Sequence, residues 1–308
     1  MAAQAYTESI SQDLTANTFT RTGYNFVGWN TQADGNGTSY SDEEAITVTS
    51  DMTLYAQWQP HAYNITYNLD AGTNDSSNPA TYTIESDAIT LADPTRFGFV
   101  FDGWTYEGQD TPTKSVTIAQ GTYGDLTYTA HWTFNPIATI TPETGYAELY
   151  DGHTLTGTGG TNTHIVIKDG AIVTLAGATI TDIPDDNKHR WSGITCEGDA
   201  TIILADGTTN NLKGGYWSFP GISVPENKTL TIQGSGTLYL SSNGHGPGIG
   251  PDNYGGGEGN ITIEGGTIIA TGGKNNAGIG GIYDEGNITI TDGVTSVTAT
   301  AGEEAPYS

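Results

Sequence analysis

Aromatic, imidazole and basic side chains recur at one phase of the C-terminal half: Lys188-His189-Arg190-Trp191, then Tyr216-Trp217-Ser218-Phe219, then His245, then Asn275-Asn276. Each group sits just ahead of a Gly-Ile pair, at Gly193-Ile194, Gly221-Ile222, Gly248-Ile249 and Gly278-Ile279. If those pairs stack, His189, Arg190, Trp191, Tyr216, Trp217, Phe219 and His245 form a stripe along one edge. Rings that offer an apolar face beside hydrogen-bonding groups suit flat sugar rings. The alternative is that Trp191, Trp217 and Phe219 cover the open side of a thin core. A second stripe is acidic, with Asp182, Asp185 and Asp186 in one loop, Asp252 with Asn253 and Glu258 in another, and Asp284-Glu285 at the matching corner. Clustered carboxylates suit Ca²⁺, which takes about 6–8 oxygen ligands. The spacing matches no defined calcium loop, so solvated acidic loops are expected, with structural calcium as the alternative and no other cofactor.

Catalytic sets are harder to assemble. The sequence carries no nucleophile triad, phosphate loop or zinc-spaced Cys/His cluster. Glycoside hydrolysis needs two carboxylates flanking the scissile bond, roughly 5–9 Å apart. Asp185-Asp186 and Gly244-His245-Gly246 are similar to two short motifs of polygalacturonases, but that family's Asn-Thr-Asp and Arg-Ile-Lys elements are absent. Pectate lyases, which the C-terminal half also resembles, need acidic Ca²⁺ ligands and a basic residue to take a proton. Residues 134–308 offer one arginine, Arg190, and five lysines. The expectation is a chain with no catalytic residues, a polysaccharide lyase or hydrolase being the alternative.

The elements that would hold the stripes are legible as repeats. The isoleucines of the Gly-Ile pairs are 28, 27 and 30 residues apart. A second series follows each, from Thr201-Ile202-Ile203-Leu204 to Asn287-Ile288-Thr289-Ile290, and a third runs through Thr237-Leu238-Tyr239-Leu240 to Ser296-Val297-Thr298-Ala299. Three short strands per coil, each alternating Ile, Leu or Val with Thr, Ser or Asn, describe a parallel β-helix whose coils bury their apolar side by stacking. Of the 43 glycines, 33 fall in 134–308, where corners need positive φ or close backbone approach. Cys196, the sole cysteine, lies inside a strand pattern and reads as core.

Residues 1–133 hold a different repeat. Arg21-Thr22-Gly23-Tyr24-Asn25-Phe26-Val27-Gly28-Trp29 and Arg96-Phe97-Gly98-Phe99-Val100-Phe101-Asp102-Gly103-Trp104 both read Arg-x-Gly-aromatic-x-Phe-x-Gly-Trp. Each copy closes on a second tryptophan, Trp58 and Trp132, 29 and 28 residues later. Residues 45–58 and 63–69 alternate apolar with polar and are rich in β-formers. Units this small draw much of their core from a tryptophan pair, so Trp29, Trp58, Trp104 and Trp132 read as structural.

This pattern resembles the Listeria–Bacteroides repeat, or internalin-type B repeat. The resemblance implies small β-grasp-like modules of secreted and wall-attached bacterial surface proteins, with no catalytic residues to carry over. The expected fold is mainly β: a first module over 1–59, a second over 60–133, and a parallel β-helix over 134–308 whose first residues, 134–151, lead into it as linker plus entry strand. The first module has no counterpart of strand 63–69, so it is expected to be incomplete at its N-terminus and to present an unpaired edge. Both ends are expected to fall inside a repeat, as in a segment of a longer protein.

The net charge of −26 and pI near 4.1 leave no basic patch for nucleic acid or an anionic membrane surface. No run of apolar residues is long enough to span a bilayer. The two repeats that resemble bacterial surface modules, followed by an acidic and nearly cysteine-free β-helix with its aromatic stripe, imply an extracellular, cell-surface, non-enzymatic module whose partner is a carbohydrate or host-surface ligand. A purely structural stalk is the remaining alternative.

Overall fold

A computed structural model describes residues 3–252, 257, 259–281 and 286–303. All regular structure among them is β. The chain divides into two compact units, residues 1–96 with 101–133, and residues 97–100 with 134–308.

The first unit contains the two tryptophan repeats. Its strands are β1 (Ser11–Asp13), β2 (Tyr24–Asn30), β3 (Ser39–Tyr40), β4 (Ala45–Thr47), β5 (Tyr55–Pro60), β6 (Tyr63–Asn68), β7 (Thr81–Tyr82), β8 (Ile89–Thr90), β9 (Phe99–Tyr106), β10 (Gln109–Thr113), β11 (Thr117–Ile118) and β12 (Leu126–Phe134). In the first repeat the order is β3-β2-β5, with β1 paired to β4. In the second it is β10-β9-β12-β6-β7, with β8 paired to β11, and β6 runs parallel to β12. The alternating run 45–58 is not one strand: it splits into β4 and β5 around residues 48–54.

The shared motif has a physical meaning at each glycine. Gly28 and Gly103 both adopt φ +143, and a Cβ on Gly28 would lie 2.8 Å from the Tyr40 carbonyl oxygen. On β2 the pairing slips between Phe26 and Gly28, and that bulge turns Trp29 inward. Against β9 the slip lies on β10, between Gln109 and Thr113, opposite Tyr106 and Trp104. Trp29 and Trp104 are both buried, and each meets the motif phenylalanine edge-on, at 5.0 Å from Phe26 and 5.2 Å from Phe101. The closing tryptophans repeat the arrangement, at 5.6 Å for Phe26–Trp58 and 5.4 Å for Phe101–Trp132. The four tryptophans are packing residues.

The second unit is the parallel β-solenoid. One face is a five-stranded parallel sheet of Tyr146–Leu149, His164–Ile167, Ile194–Cys196, Ile222–Ser223 and Ile249–Gly250. The other two faces share an eleven-stranded sheet, because the long strand Ile172–Ile180 pairs through its first half with Ala200–Leu204 and through its second with Thr209–Gly214. Residues 137–140 and 146–149, in the stretch expected to be linker plus entry strand, pair in parallel with the next coil.

Register carries the sequence period directly into space. Ile165, Ile194, Ile222 and Ile249 stand in one buried column, and Ile249 bridges to Ile279. Cys196 lies in the same core, where burial pushes its thiol up to about 12. The glycines ahead of the column are required by close approach. A Cβ on Gly193 would sit 2.8 Å from the Gly221 carbonyl oxygen, and one on Gly221 2.9 Å from that of Gly248. Asn210 is fully buried at a corner and links three coils. Its Oδ1 accepts from the Gly177 and Ala178 amides, both at 2.9 Å, and its Nδ2 donates to the Thr237 carbonyl at 3.3 Å.

Candidate functional site

The corner that precedes each column isoleucine carries the predicted stripe, and the structure joins its members other than Phe219 into a ladder of rings. The Trp191 indole stacks on His164 at 5.5 Å with planes 16° apart, and His189 meets the same indole at 5.1 Å. One coil on, the Arg190 guanidinium lies 5.8 Å over the Tyr216 ring, Tyr216 contacts Trp217 at 6.0 Å, and Trp217 contacts His245 at 5.2 Å. In the other direction Tyr146 meets His164 edge-on at 5.3 Å. Parallel register makes this continuity, since Tyr146 pairs with His164 and the following strands repeat the step.

Two rungs were missed from the sequence. His164 and Tyr146 precede the Gly-Ile series, and His164 stands where the next coil has Gly193. The available signal was their place immediately before the strands Ile165-Val166-Ile167 and Ala147-Glu148-Leu149.

The rungs differ in how they are held. The Trp191 Nε1–H donates to the Thr163 carbonyl at 2.8 Å, and the ring packs partly on the solenoid core. His189 is fixed on both ring nitrogens, with Nδ1 2.7 Å from Asp186 Oδ1 and Nε2 3.3 Å from Asn162 Oδ1. That hydrogen bond from His189 holds the Asp186 carboxyl below the usual range. Phe219 is half-buried, and its carbonyl accepts from Ser242 Oγ at 2.9 Å. His245 Nδ1 lies 3.0 Å from the Lys274 carbonyl oxygen, and its backbone N–H donates to the Trp217 carbonyl.

Trp217 stands apart. Its side chain is 49% exposed although its neighbours on the corner are half-buried or buried, and its φ is +62. An L-residue in the left-handed region costs about 1–2 kcal/mol. The strain is held in place by the amide of the next coil and turns the indole outward.

Among the described residues, the acidic stripe does not converge. Asp182 and Asp185 are exposed, Asp186 is engaged by His189, and the Asp252 carbonyl accepts from Ser218 Oγ at 3.1 Å. Asp284 and Glu285, like Asn253 and Glu258, lie outside the described residues. Among the described residues no three His, Cys, Asp or Glu side chains are grouped to hold a metal ion.

Burial holds two solenoid histidines below their ordinary value: desolvation lowers His164, and at His153 it outweighs the Gly98 carbonyl that favours the charged form. His153 is fully buried, its Nδ1 accepts the Tyr150 amide at 2.8 Å, and its ring stacks on Phe134 at 4.5 Å. The unfolded chain therefore takes up protons below about pH 6.5 that the native state refuses. Stability is expected to fall as pH drops through that value, with His153 as the most deeply buried contributor, and to level off below the native pKa. Melting curves from pH 7 to 5 check this, and His153→Gln is expected to flatten the slope.

Residues 2–57 and 63–135 match the Listeria-Bacteroides repeat domain family. The chain is 36% identical over 89 residues to a Gly-rich membrane protein of Evansella cellulosilytica, covering 28% of this chain and 10% of that protein. A second membrane protein of the same organism is 29% identical over 134 residues, covering 42% and 18%. Internalin H of Listeria monocytogenes is 29% identical over 117 residues, covering 38% and 20%. The chain thus spans a fifth or less of these relatives. No solved structure matches. No helix among the described residues is long and apolar enough to cross a membrane.

Proposed function

We propose that the chain is a non-enzymatic, extracellular module of a bacterial cell-envelope protein, with the two Listeria-Bacteroides repeats as spacers and the solenoid edge as a glycan-binding strip. The outward indole of Trp217, kept in a left-handed backbone at an energetic cost, carries this reading. Strain retained at an exposed aromatic is a signature of a working surface rather than of packing. Sugar rings stack on such a face while Arg190, His189 and His245 supply polar contacts along the strip. The repeat family and relatives named as membrane proteins and an internalin support the envelope setting.

The test uses Trp217→Gly, which removes the ring and places glycine where φ is +62. Its melting temperature is expected to match or exceed the parent, because the relieved strain of about 1 kcal/mol offsets the lost ring contacts. Binding to bacterial and mucin-type glycans on an array is expected to weaken by at least about tenfold. No glycan binding by the parent, or equal binding by the variant, would sink the proposal.

One observation favours a second reading, a polysaccharide-cleaving enzyme: the Asp186–His189 pair at 2.7 Å has the form of a carboxylate-oriented imidazole base. Incubation with polyuronates, with and without Ca²⁺, separates the two. Unsaturated or reducing ends that disappear with His189→Ala would establish cleavage.

A further inference from the structure

The basic residues of the solenoid fall into two groups. Lys168 bridges Glu197 at 2.7 Å and Glu148 at 3.4 Å, and Lys228 bridges Asp169 at 3.2 Å and Asp199 at 3.8 Å. The others, Lys188, Arg190, Lys213 and Lys274, form no ion pair among the described residues, although the chain carries 35 Asp and Glu against 9 Lys and Arg. All of them stand at the ring ladder. Lys188 and Arg190 flank His189, and Lys213 lies on the strand Thr209–Gly214, which runs into Tyr216. Lys274 follows His245 one coil on.

Three successive corners of the ladder lie in stretches without Asp or Glu: 207–225, 227–251 and 265–283. Among the described residues, acid reaches this part of the edge at Asp252, whose backbone carbonyl accepts from Ser218 Oγ at 3.1 Å. Asp182, Asp185 and Asp186 belong to the corner before, where His189 engages Asp186. The Trp217 end of the ladder is therefore locally basic in a chain of net charge −26. Lys274 is exposed there, its amide donates to the Gly244 carbonyl at 2.8 Å, and its own carbonyl oxygen lies 3.0 Å from His245 Nδ1. Gly244 packs against the Trp217 backbone in turn. The residue stacked between the outward indole and the Lys274 side chain thus has no side chain of its own.

We infer that the strip selects acidic glycans, an inference that rests on the glycan-binding reading above. A sugar ring lies on Trp217 while its carboxylate or sulfate is held by Lys274. Arg190, 5.8 Å over the Tyr216 ring, is a second anchor, since its planar fork matches a carboxylate or sulfate edge. The chain's own carboxylates leave these cations unmatched, so the anion comes from the ligand.

The full chain tests this by titration with two pairs of polymers. Hyaluronan, whose acid groups are carboxylates, is set against the same polymer with its carboxyls reduced to alcohols, and dextran sulfate against dextran. At least about tenfold tighter binding of the charged member is expected in one pair or both, and which pair shows it tells carboxylate from sulfate. Lys274→Gln is expected to remove most of that preference and Arg190→Gln part of it. Lys228→Gln, which deletes the same charge at a different corner, is expected to keep it. Binding confined to neutral glycans, equal affinity within both pairs, or a preference that both corner variants leave intact overturns this inference while the glycan reading stands. No glycan bound by the parent overturns both. Tighter binding of oligothymidylate than of either charged polymer would make the strip a nucleic-acid site, and also overturns it.

Discussion

Trp104→Ala is expected to cost the second repeat about 3–5 kcal/mol, most of the stability of a domain this small. Trp104 has no exposed surface and sits among Phe101 at 5.2 Å, Tyr67 at 5.7 Å and Tyr128 at 6.3 Å. Alanine would leave a cavity that the strands cannot close, since pairing with β10 and β12 fixes the backbone of β9. The indole Nε1 has no hydrogen-bond partner among the described residues, so the native ring buries an unmet donor. Trp104→Phe is therefore expected to be much milder, at about 1 kcal/mol, because the lost contact area is partly offset by removing that donor. Urea unfolding followed by near-ultraviolet circular dichroism checks both. A loss under about 1 kcal/mol for the alanine variant would contradict a structural role for this tryptophan.

The second large effect belongs to the solenoid corner. Gly248→Val is expected to destabilise the coils by more than about 2 kcal/mol, the scale of an overpacked core. A Cβ at Gly248 would lie 2.5 Å from the Gly278 carbonyl oxygen and 3.0 Å from Ala270 Cβ. Backbone cannot yield there without parting the coils, and the Ile249 amide bond to Gly278 at 3.0 Å would go first. Gly207→Ala is the control. Gly207 has φ +67 but open space around it, so only local strain of about 1 kcal/mol is expected. Hydrogen exchange at Ile222 and Ile249 against Ile194 reports whether the damage starts at the substituted corner.

Much of this architecture could be read from residue order because both repeats encode it in spacing. The intervals between Ile194, Ile222, Ile249 and Ile279 became one column, since parallel strands of equal coils keep register and a one-residue slip would expose the apolar face. The Arg-x-Gly-aromatic-x-Phe-x-Gly-Trp motif became the same glycine conformation and ring cluster twice. Alternation alone failed over 45–58, because a strand needs a neighbour as well as a pattern, and residues 52–54 pair with none among the described residues. At the candidate site, Trp191 and Trp217 looked like equal rungs. They are not, since a carbonyl from another coil satisfies the Trp191 indole while a left-handed backbone turns Trp217 outward. Neither the partner carbonyl nor the sign of φ is written in residue type, for tryptophan seldom adopts that conformation. His164 escaped notice for a related reason: it holds a place that glycine fills in the following coils.

The uniform parallel stacking of coils also sets how the solenoid bears load. The hydrogen bonds between successive coils lie along its long axis, so tension along that axis pulls on one row at a time rather than shearing many together. Each coil interacts only with its neighbours, which makes detachment sequential. A freed coil of about 28 residues releases roughly 90–100 Å of extended chain. Under drag, the solenoid would lengthen in regular steps, each dissipating work, while the coils still stacked keep their part of the ring ladder intact.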